Sequence, residues 1–457
     1  MSTFRTTSLA LALVAPLAAL AAPAADASDI DQLRQELQAL RASYEARLQA
    51  LEQRLKAAEA AAAQAPAAAV PPAPAAAVPA TPAAGANAFN PALSLILSGL
   101  YTRTSQDPSR YAITGVPLPP GAEFGPGPRG FGLTESELGI AASIDPFWRG
   151  NANIALHPDD TVSVEEAYVQ TTSLGHGLGL KAGRFFAGVG YLNSQHAHTW
   201  DFVDNPLAYQ ALLGTQYRDD GLQMSWLAPT DQFVELGLEV GRGRTFPGGD
   251  NSRNGAGMTA LTAHTGGDIG DSSSWRAGLS VLNAKADGQG LAVPGAAGDT
   301  LAGRFSGRTR VWVADAVWKW APGGNATRTS FKLQGEYLRS TRDGSLGLDP
   351  GATAAYRAVT SGWYVQGIWQ FMAGWRLGLR SEALDTGRPD YGLNAGLVAA
   401  GDGYRPRKDS LMLDYSASEF SRIRLQLAQD RSRQGASDHQ IFLQYQMSLG
   451  AHGAHSY

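Results

Sequence analysis

The sequence of 457 residues contains no cysteine, and its net charge is only −4. The lack of cysteine excludes thiolate zinc sites, cysteine nucleophiles and a disulfide scaffold. The small net charge argues against nucleic acid or a strongly acidic partner. After residue 27, no segment reaches the roughly 18 consecutive apolar residues that a membrane-spanning helix needs. Two classes remain: a soluble protein, or a membrane β-barrel whose strands alternate apolar and polar side chains.

The N-terminus has the features of an export signal. Arg5 is followed by an uncharged apolar run over residues 9–22, and Ala25 and Ala27 offer a small-x-small cleavage site. The apolar run is too short to span a membrane. We therefore predict a signal peptide over residues 1–27, the alternative being an uncleaved anchor.

Residues 28–59 carry a heptad pattern, with one four-residue stutter between Tyr44 and Leu48. Its apolar positions are Ile30, Leu33, Leu37, Leu40, Tyr44, Leu48, Leu51, Leu55 and Ala58. The pattern predicts a self-associating α-helical coiled coil, the alternative being one amphipathic helix packed on a barrel or a membrane. Residues 60–86 are mostly Ala and Pro, and this composition indicates an extended spacer without a core.

Residues 87–457 read as short strands with period-two alternation, for example Ile423, Leu425 and Leu427 against Arg422, Arg424 and Gln426. Short connections at 145–146, 229–230, 322–324 and 373–374 alternate with long ones at 103–130, 188–219, 282–309, 340–361 and 383–409. A soluble β-sandwich also alternates, but aromatic residues at strand ends and this pattern of connections favour an outer-membrane barrel. We predict an all-β transmembrane barrel of about 16 antiparallel strands with both termini in the periplasm.

The polar face of these strands carries charges that would line a pore. A ring of side chains with one sign of charge selects ions. The alternative is that these charges pair with one another across strands and only make the inner wall hydrophilic. The predicted pore-lining residues are Arg184, Lys332, Glu336, Arg376, Arg380, Glu382, Arg422 and Arg424.

The segment after residue 183 is the most distinctive. A strand ending in Arg184-Phe185-Phe186 leads to Gly188-Val189-Gly190, a long loop and a return near Tyr217. This arrangement resembles the phosphate-selective porin family and its relatives. The resemblance implies a third loop folded into the barrel as a constriction, a periplasmic N-terminal coiled coil and a homotrimer. That family carries lysines near this position, where this chain has Phe186, Ala187 and Val189, and the difference argues against phosphate selectivity.

The same loop contains candidate metal ligands. His196 and His198, at i and i+2, point the same way in an extended chain, and Asp201 is nearby. Two imidazoles and a carboxylate suit zinc or copper, and the loop is similar to that of porin-like proteins linked to zinc-responsive transport. The alternative is a polar loop whose imidazoles form only local hydrogen bonds. Apart from this zinc hypothesis, we expect no cofactor.

Together these features predict an outer-membrane porin for passive diffusion of small hydrophilic solutes or ions, in contact with lipid and with its own copies. The alternatives are a zinc-related uptake protein or a structural tether to the cell wall. We do not expect an enzyme, because His264 and Ser272–Ser274 lack a nucleophile elbow. An energy-coupled receptor would need a plug domain and about 22 strands.

Overall fold

A computed structural model describes residues 91–120, 124–249, 254–399 and 403–450. The predicted signal peptide, the coiled coil of residues 28–59 and the Ala/Pro spacer of residues 60–86 lie outside these ranges. Within them, no helix is long and apolar enough to cross a membrane.

The described residues form one antiparallel sheet of 17 strands, numbered here in chain order. The strands are β1 (Ala92–Thr104), β2 (Gly130–Leu133), β3 (Ser136–Ser143), β4 (Trp148–Leu156), β5 (Val162–Thr171), β6 (Leu178–Phe186), β7 (Arg218–Leu227), β8 (Phe233–Gly241), β9 (Met258–Ile269), β10 (Ser273–Pro294), β11 (Thr300–Trp320), β12 (Ser330–Asp349), β13 (Thr353–Met372), β14 (Trp375–Asp385), β15 (Arg407–Ser418), β16 (Ser421–Arg431) and β17 (Asp438–Gly450).

The sheet closes on itself through β1. One edge of β1 pairs with β17 from Ser94 opposite Gly450 to Thr104 opposite Gln440. Its other edge pairs with β2 and then with β3, two short strands that follow one another along it. Because β2 and β3 together occupy one position in the wall, the closed barrel has 16 strands. The predicted β-barrel of about 16 antiparallel strands is confirmed.

The alternation of side chains turns the apolar face outward. On β16, Ile423, Leu425 and Leu427 are exposed on the outer surface, whereas Arg424 and Gln426 are buried inside. The register carries this division from strand to strand, since Leu425 lies opposite Leu413 on β15 and Leu443 on β17. A surface of this kind is stable against hydrocarbon, and ring closure leaves no unpaired sheet edge.

Two of the predicted long loops are mostly strand. Residues 282–309 and 340–361 belong to β10–β13, which are 22, 21, 20 and 20 residues long and meet in hairpin tips at 295–299 and 350–352. Their outward positions beyond the apolar band are polar and their pairing continues. The alternation inverts there, with polar side chains outward and apolar side chains such as Leu291, Val293 and Phe305 inward, and the backbone pairing continues.

One short helix, α1 (Leu207–Leu213), lies between β6 and β7, and all seven of its residues are buried. It ends at Gly214, whose φ of 67° is the left-handed conformation that favours glycine after a helix. The helix packs on inward-facing apolar side chains that include Leu282, Val311, Leu338 and Tyr364. This part of the barrel interior is therefore a dry core.

Candidate functional site

The connection between β6 and β7, called loop 187–217 here, contacts the inner wall on several strands. The backbone N–H of Gly188 donates to Glu239 on β8 (2.8 Å), and that of Leu192 donates to Glu336 on β12 (3.0 Å). The N–H of Val203 donates to Gln426 on β16 (2.8 Å). The loop therefore reaches strands far around the barrel from β6, where it begins.

Glu336 is the main acceptor for the first half of the loop. Its carboxylate accepts from the N–H groups of Tyr191 (3.1 Å) and Leu192 (3.0 Å) and from the hydroxyl of Tyr209 on α1 (2.8 Å). The hydroxyl of Tyr364 on β13 donates to the same carboxylate at 2.5 Å. With four donors, this buried group is well satisfied. Glu336 thus fastens the loop and helix to the wall.

Two aspartates of the loop form ion pairs with the wall. Asp201 contacts Lys332 on β12 (2.5 Å) and Arg376 on β14 (3.1 Å). Burial raises the pKa of the Asp201 carboxyl, but these two cations outweigh it and hold that pKa well below its usual value. The carboxylate therefore stays ionised and keeps both cations paired.

Asp204 forms the second anchor. It contacts Lys408 on β15 (2.5 Å) and Arg380 on β14 (2.7 Å), both with side chains only 2 % exposed. Burial again raises the pKa of the carboxyl, and Lys408 and Arg380 outweigh it and lower the pKa well below the usual value. Removing Asp204 would take the nearest carboxylate from two buried cations, leaving Arg380 with Glu382 (3.2 Å) and Lys408 with the more distant Asp430 (3.7 Å).

The predicted pore-lining residues fall into three groups. Lys332, Arg376 and Arg422 border a water-accessible cavity. Four others face inward but are covered by loop 187–217 and buried: Glu336, Arg380, Glu382 and Arg424. The alternation in the sequence predicts that the side chains of these seven residues point inward. It does not predict that loop 187–217 covers four of them.

Arg184 does not face the interior. It lies opposite Ala167 and Asp220 in the register, on the outward face that also carries Leu180 and Leu222. Its guanidinium pairs with Asp220 at 2.6 Å, and Arg244 pairs with the same carboxylate at 3.1 Å. Its place in the alternation with Leu180 indicates the outer face, which corrects its assignment to the pore lining.

The cavity has a volume of about 1650 Å³ and a mixed lining. Its wall includes Arg149, Lys181 and Arg422 together with Glu137 and Glu166. It reaches the end of the barrel where the short turns lie, since residues of the connections at 270–272, 321–326 and 419–420 border it. The cavity is therefore a polar vestibule at the short-turn end.

Both loop histidines lie at the side of this cavity. His196 Nδ1 is 3.2 Å from Glu137 and 3.3 Å from Glu165, and its Nε2 is 3.0 Å from Glu166. His198 Nδ1 is 3.0 Å from Glu137. Burial disfavours the charged imidazolium, but the hydrogen bonds to the three carboxylates outweigh it and hold the pKa of His196 well above its usual value.

The predicted metal set is brought together only in part. His196 and His198 stack with ring centres 5.7 Å apart, whereas Asp201 is occupied by Lys332 and Arg376. The carboxylates near the histidines are instead Glu137 of β3 and Glu165 and Glu166 of β5. Glu165 and Glu166 both face inward because a bulge interrupts β5 opposite Asn153. The adjacent glutamates were the one sequence signal of this arrangement.

The ligand set that the described residues offer to a cation consists of Glu137, Glu165 and His196, whose donor atoms lie within 4.8 Å of one another. Oxygen and imidazole nitrogen donors suit zinc and other divalent ions of the first transition row.

Comparison with known proteins gives a distant relative and several similar folds. No protein-family model matches the sequence, so the resemblance to phosphate-selective porins stays a prediction. An uncharacterized protein of Aquifex aeolicus (strain VF5) is 29% identical over 347 residues, covering 72% of this chain and 70% of that protein.

Among solved structures, the chain is similar to an anion-selective porin from Comamonas acidovorans, with a TM-score of 0.49 and 12% identity over 79% of this chain and 99% of that one. It is also similar to the outer membrane channel DcaP of Acinetobacter baumannii, with a TM-score of 0.45 and 12% identity over 78% and 96% of the two chains. For OprB of Pseudomonas putida the TM-score is 0.45, with 13% identity over 79% and 94%.

Proposed function

We propose that this protein is an outer-membrane channel for passive diffusion of small hydrophilic solutes or ions, with loop 187–217 as its constriction. The observation that carries the proposal is the polar vestibule of about 1650 Å³ inside a closed barrel with an apolar outer surface. A barrel with this outer surface is stable in a lipid bilayer, and the charged side chains of its interior require hydration. The vestibule supplies that water.

The topology supports an orientation in the membrane. Outer-membrane barrels place short turns in the periplasm and long connections outside. The vestibule then opens to the periplasm, and the hairpins of β10–β13 project from the cell surface. The coiled coil of residues 28–59, joined to β1 by the Ala/Pro spacer, belongs on the periplasmic side, where it would help three copies assemble.

The mixed charges in the vestibule favour small polar solutes over ions of a single sign. Basic Lys332, Arg376 and Arg422 face the same water as acidic Glu137 and Glu166. Charges of both signs across a pore create a transverse field, which orders polar solutes and disfavours apolar ones. The net selectivity then depends on the few groups that loop 187–217 leaves uncovered.

Reconstitution of the full-length protein in planar bilayers tests the proposal. We expect discrete conductance steps, and a larger step for a variant in which Asp201 and Asp204 are both changed to Asn, because the loop loses its ion pairs. The matched control is Asp385→Asn, which removes an exposed ion pair with Arg405 and should leave the step unchanged. Absence of any conductance from correctly folded barrels would contradict the channel function. Equal steps in all variants would contradict the constriction.

A second function, metal-related uptake, is favoured by the geometry around His196. Its Nδ1 lies 3.2 Å and 3.3 Å from the oxygens of Glu137 and Glu165, and the edge of a tetrahedron with zinc–ligand bonds of about 2.0 Å is roughly 3.3 Å. A divalent ion could therefore replace the imidazole proton, with His196, Glu137 and Glu165 as its ligands. Such an ion would sit at the vestibule wall, beside loop 187–217.

Isothermal titration of the metal-free protein with zinc tests this function. We expect one saturable site that His196→Asn and Glu137→Gln each weaken at least about tenfold, as for loss of one ligand. The control is His439→Asn, on the remote end of β17. Equal zinc binding by the His196 and His439 variants would contradict the metal site and leave the channel proposal intact.

A further inference from the structure

The outer surface of the long strands changes from apolar to basic between two consecutive outward-facing residues. On β11 the outward side chains run Trp318, Ala316, Ala314 and Trp312, and the next two outward positions are Arg310 and Arg308. On β12, Leu333 and Tyr337 are followed by Arg339. The apolar band therefore ends in a row of arginines on adjacent strands.

These arginines line an outward cavity of about 860 Å³, called the basic groove here. Its charged members are Lys285, Arg308, Arg310, Arg339 and Asp343, and Trp312 forms its lower wall. Three arginines, one lysine and one carboxylate thus line the groove. The groove lies on the outside of the barrel and shares no residue with the vestibule.

The register brings like charges together. Lys285 of β10 lies directly opposite Arg308 of β11. On its other side Arg308 lies opposite Asp343 of β12. Arg339 lies opposite Trp312, two residues along β11 from Arg310. Like charges in directly opposite positions destabilise a sheet. The guanidinium of Arg310 is oriented by a hydrogen bond to Asn283 (2.8 Å). The groove therefore presents three arginines on two adjacent strands with one carboxylate among them, and a bound anion would reduce the repulsion between these cations.

The height of the groove matches the edge of the membrane. From Trp320 to Arg310 the chain rises about 33 Å along the strand at roughly 3.3 Å per residue. A strand tilt of about 40° reduces this to roughly 25 Å of height, which is the height of the apolar band of such barrels. Arg310 therefore lies at the level of lipid headgroups. In the orientation of the proposed function, those headgroups belong to the outer leaflet.

We propose that the basic groove binds the phosphate groups of a phosphorylated glycolipid of the outer leaflet, with the acyl chains packed below on Trp312 and Tyr337. Guanidinium groups bind phosphate through paired, charge-assisted hydrogen bonds, and aromatic side chains anchor the boundary between headgroups and acyl chains. The inference rests on the proposed function for its orientation, because only the outer leaflet meets this end of the barrel.

Binding of diphosphoryl lipid A to the delipidated full-length protein, measured by native mass spectrometry, tests the inference. We expect wild-type protein to retain the lipid and the variant Arg308→Gln/Arg310→Gln to bind it at least about tenfold more weakly. Arg328→Gln, in the short turn at the opposite end of the barrel, is the control and should bind like wild type. Arg339→Gln, on the neighbouring strand, gives an independent reading if the double variant fails to fold.

Two further ligands identify the source of the phosphate. Dephosphorylated lipid A should bind about as weakly to wild type as diphosphoryl lipid A binds to the double variant, and inorganic phosphate should compete poorly. Equal retention of the dephosphorylated lipid, efficient competition by inorganic phosphate, or unchanged binding by the arginine variants would each overturn the inference. Conductance measured on the same preparations separates the two proposals, because a conducting channel without lipid binding removes only this one.

Discussion

Asn193 and Tyr217 form a two-bond pair that joins the two ends of loop 187–217. The Asn193 amide accepts from the N–H of Tyr217 (2.8 Å) and donates to its carbonyl oxygen (2.9 Å). The same amide nitrogen donates to the carbonyl of Ala187 at 2.7 Å. Because Asn193 is fully buried, no water can replace these bonds. The side chain therefore acts as a clasp at the base of the loop.

The first prediction concerns this clasp. Asn193→Asp keeps the shape but places a carboxylate against two carbonyl oxygens, so the loop should detach more readily than in Asn193→Ala. We expect frequent current fluctuations in single-channel records of both variants, with the aspartate variant the more severe. Asn325→Asp, in an exposed short turn, is the control. Quiet records from both Asn193 variants would show that the clasp is dispensable.

The second prediction uses a matched pair on β16. Arg422 borders the vestibule, whereas Arg424 is covered by the loop and donates to the carbonyl of Trp200 at 2.7 Å. Arg422→Gln should shift the reversal potential in asymmetric salt toward cations, because it removes a positive charge from the water path. Arg424→Gln should lower thermal stability and change the reversal potential less. The reverse pattern would mean that the water path runs along Arg424.

The third prediction concerns pH. The pKa of Asp204 is lowered in the folded protein, so its ion pairs contribute stability above about pH 4, its unfolded pKa, and lose it as pH falls through the lower folded value. The pKa of Asp201 is also lowered, so its ion pairs depend on pH in the same direction. The ion pairs of Asp201 and Asp204, and their contribution to the unfolding free energy, should therefore stay constant between pH 8 and about pH 5. Asp204→Asn should cost about 1–3 kcal/mol of unfolding free energy at neutral pH, because Arg380 keeps Glu382 (3.2 Å) and Lys408 keeps only the more distant Asp430 (3.7 Å). A similar melting temperature for wild type and variant would contradict this role.

The fourth prediction compares two leucines. Leu213 of α1 is completely buried among the apolar side chains inside the barrel, whereas Leu393 is 87% exposed. Leu213→Ala should lower the unfolding free energy by about 2–5 kcal/mol, and Leu393→Ala by less than about 0.5 kcal/mol. Heat-modifiable migration on gels at a series of temperatures measures both. Equal midpoints would mean that the helix packs too loosely to matter.

The fifth prediction tests the orientation of the barrel in the membrane. Because the chain has no native cysteine, a thiol reagent labels only an introduced one. Ala297 is exposed at the hairpin tip between β10 and β11, and Ala326 is exposed in the short turn after β11. An impermeant maleimide added to intact cells should label Ala297→Cys and leave Ala326→Cys unlabelled. Labelling of Ala326→Cys alone would invert the barrel in the membrane and place the basic groove at the inner leaflet.

The barrel could be predicted because the alternation of apolar and polar side chains is visible within each strand of the sequence. Period-two alternation at Ile423, Leu425 and Leu427 is sufficient to fix which face of β16 meets lipid, and the same reasoning holds for each strand in turn. The extended hairpins of β10–β13 were missed because the alternation inverts beyond the apolar band, with polar residues outward and residues such as Leu291, Val293 and Phe305 inward. Arg184 was assigned inward by its charge although the alternation with Leu180 indicates the outer surface.

The contacts of loop 187–217 could not be predicted because they depend on closure of the whole barrel. Asp201 meets Lys332 from a position 131 residues away in the chain, and nothing in either neighbourhood specifies the other. The cluster around His196 needs the bulge in β5, which presents Glu165 and Glu166 to the same side. Sequence patterning identified the histidines and the loop, and three-dimensional packing supplied their carboxylate partners.

The length of β10–β13 has a consequence for how the protein would be handled. Crossing a membrane takes about 9–11 residues of strand, so about half of each of these strands continues as paired sheet beyond it. Proteases cleave chain that can enter their active site as an extended, unpaired segment, and hydrogen-bonded strands resist them. Affinity tags or epitopes should therefore be inserted between Gly295 and Asp299, at the hairpin tip, because insertion a few residues lower would break the ladder.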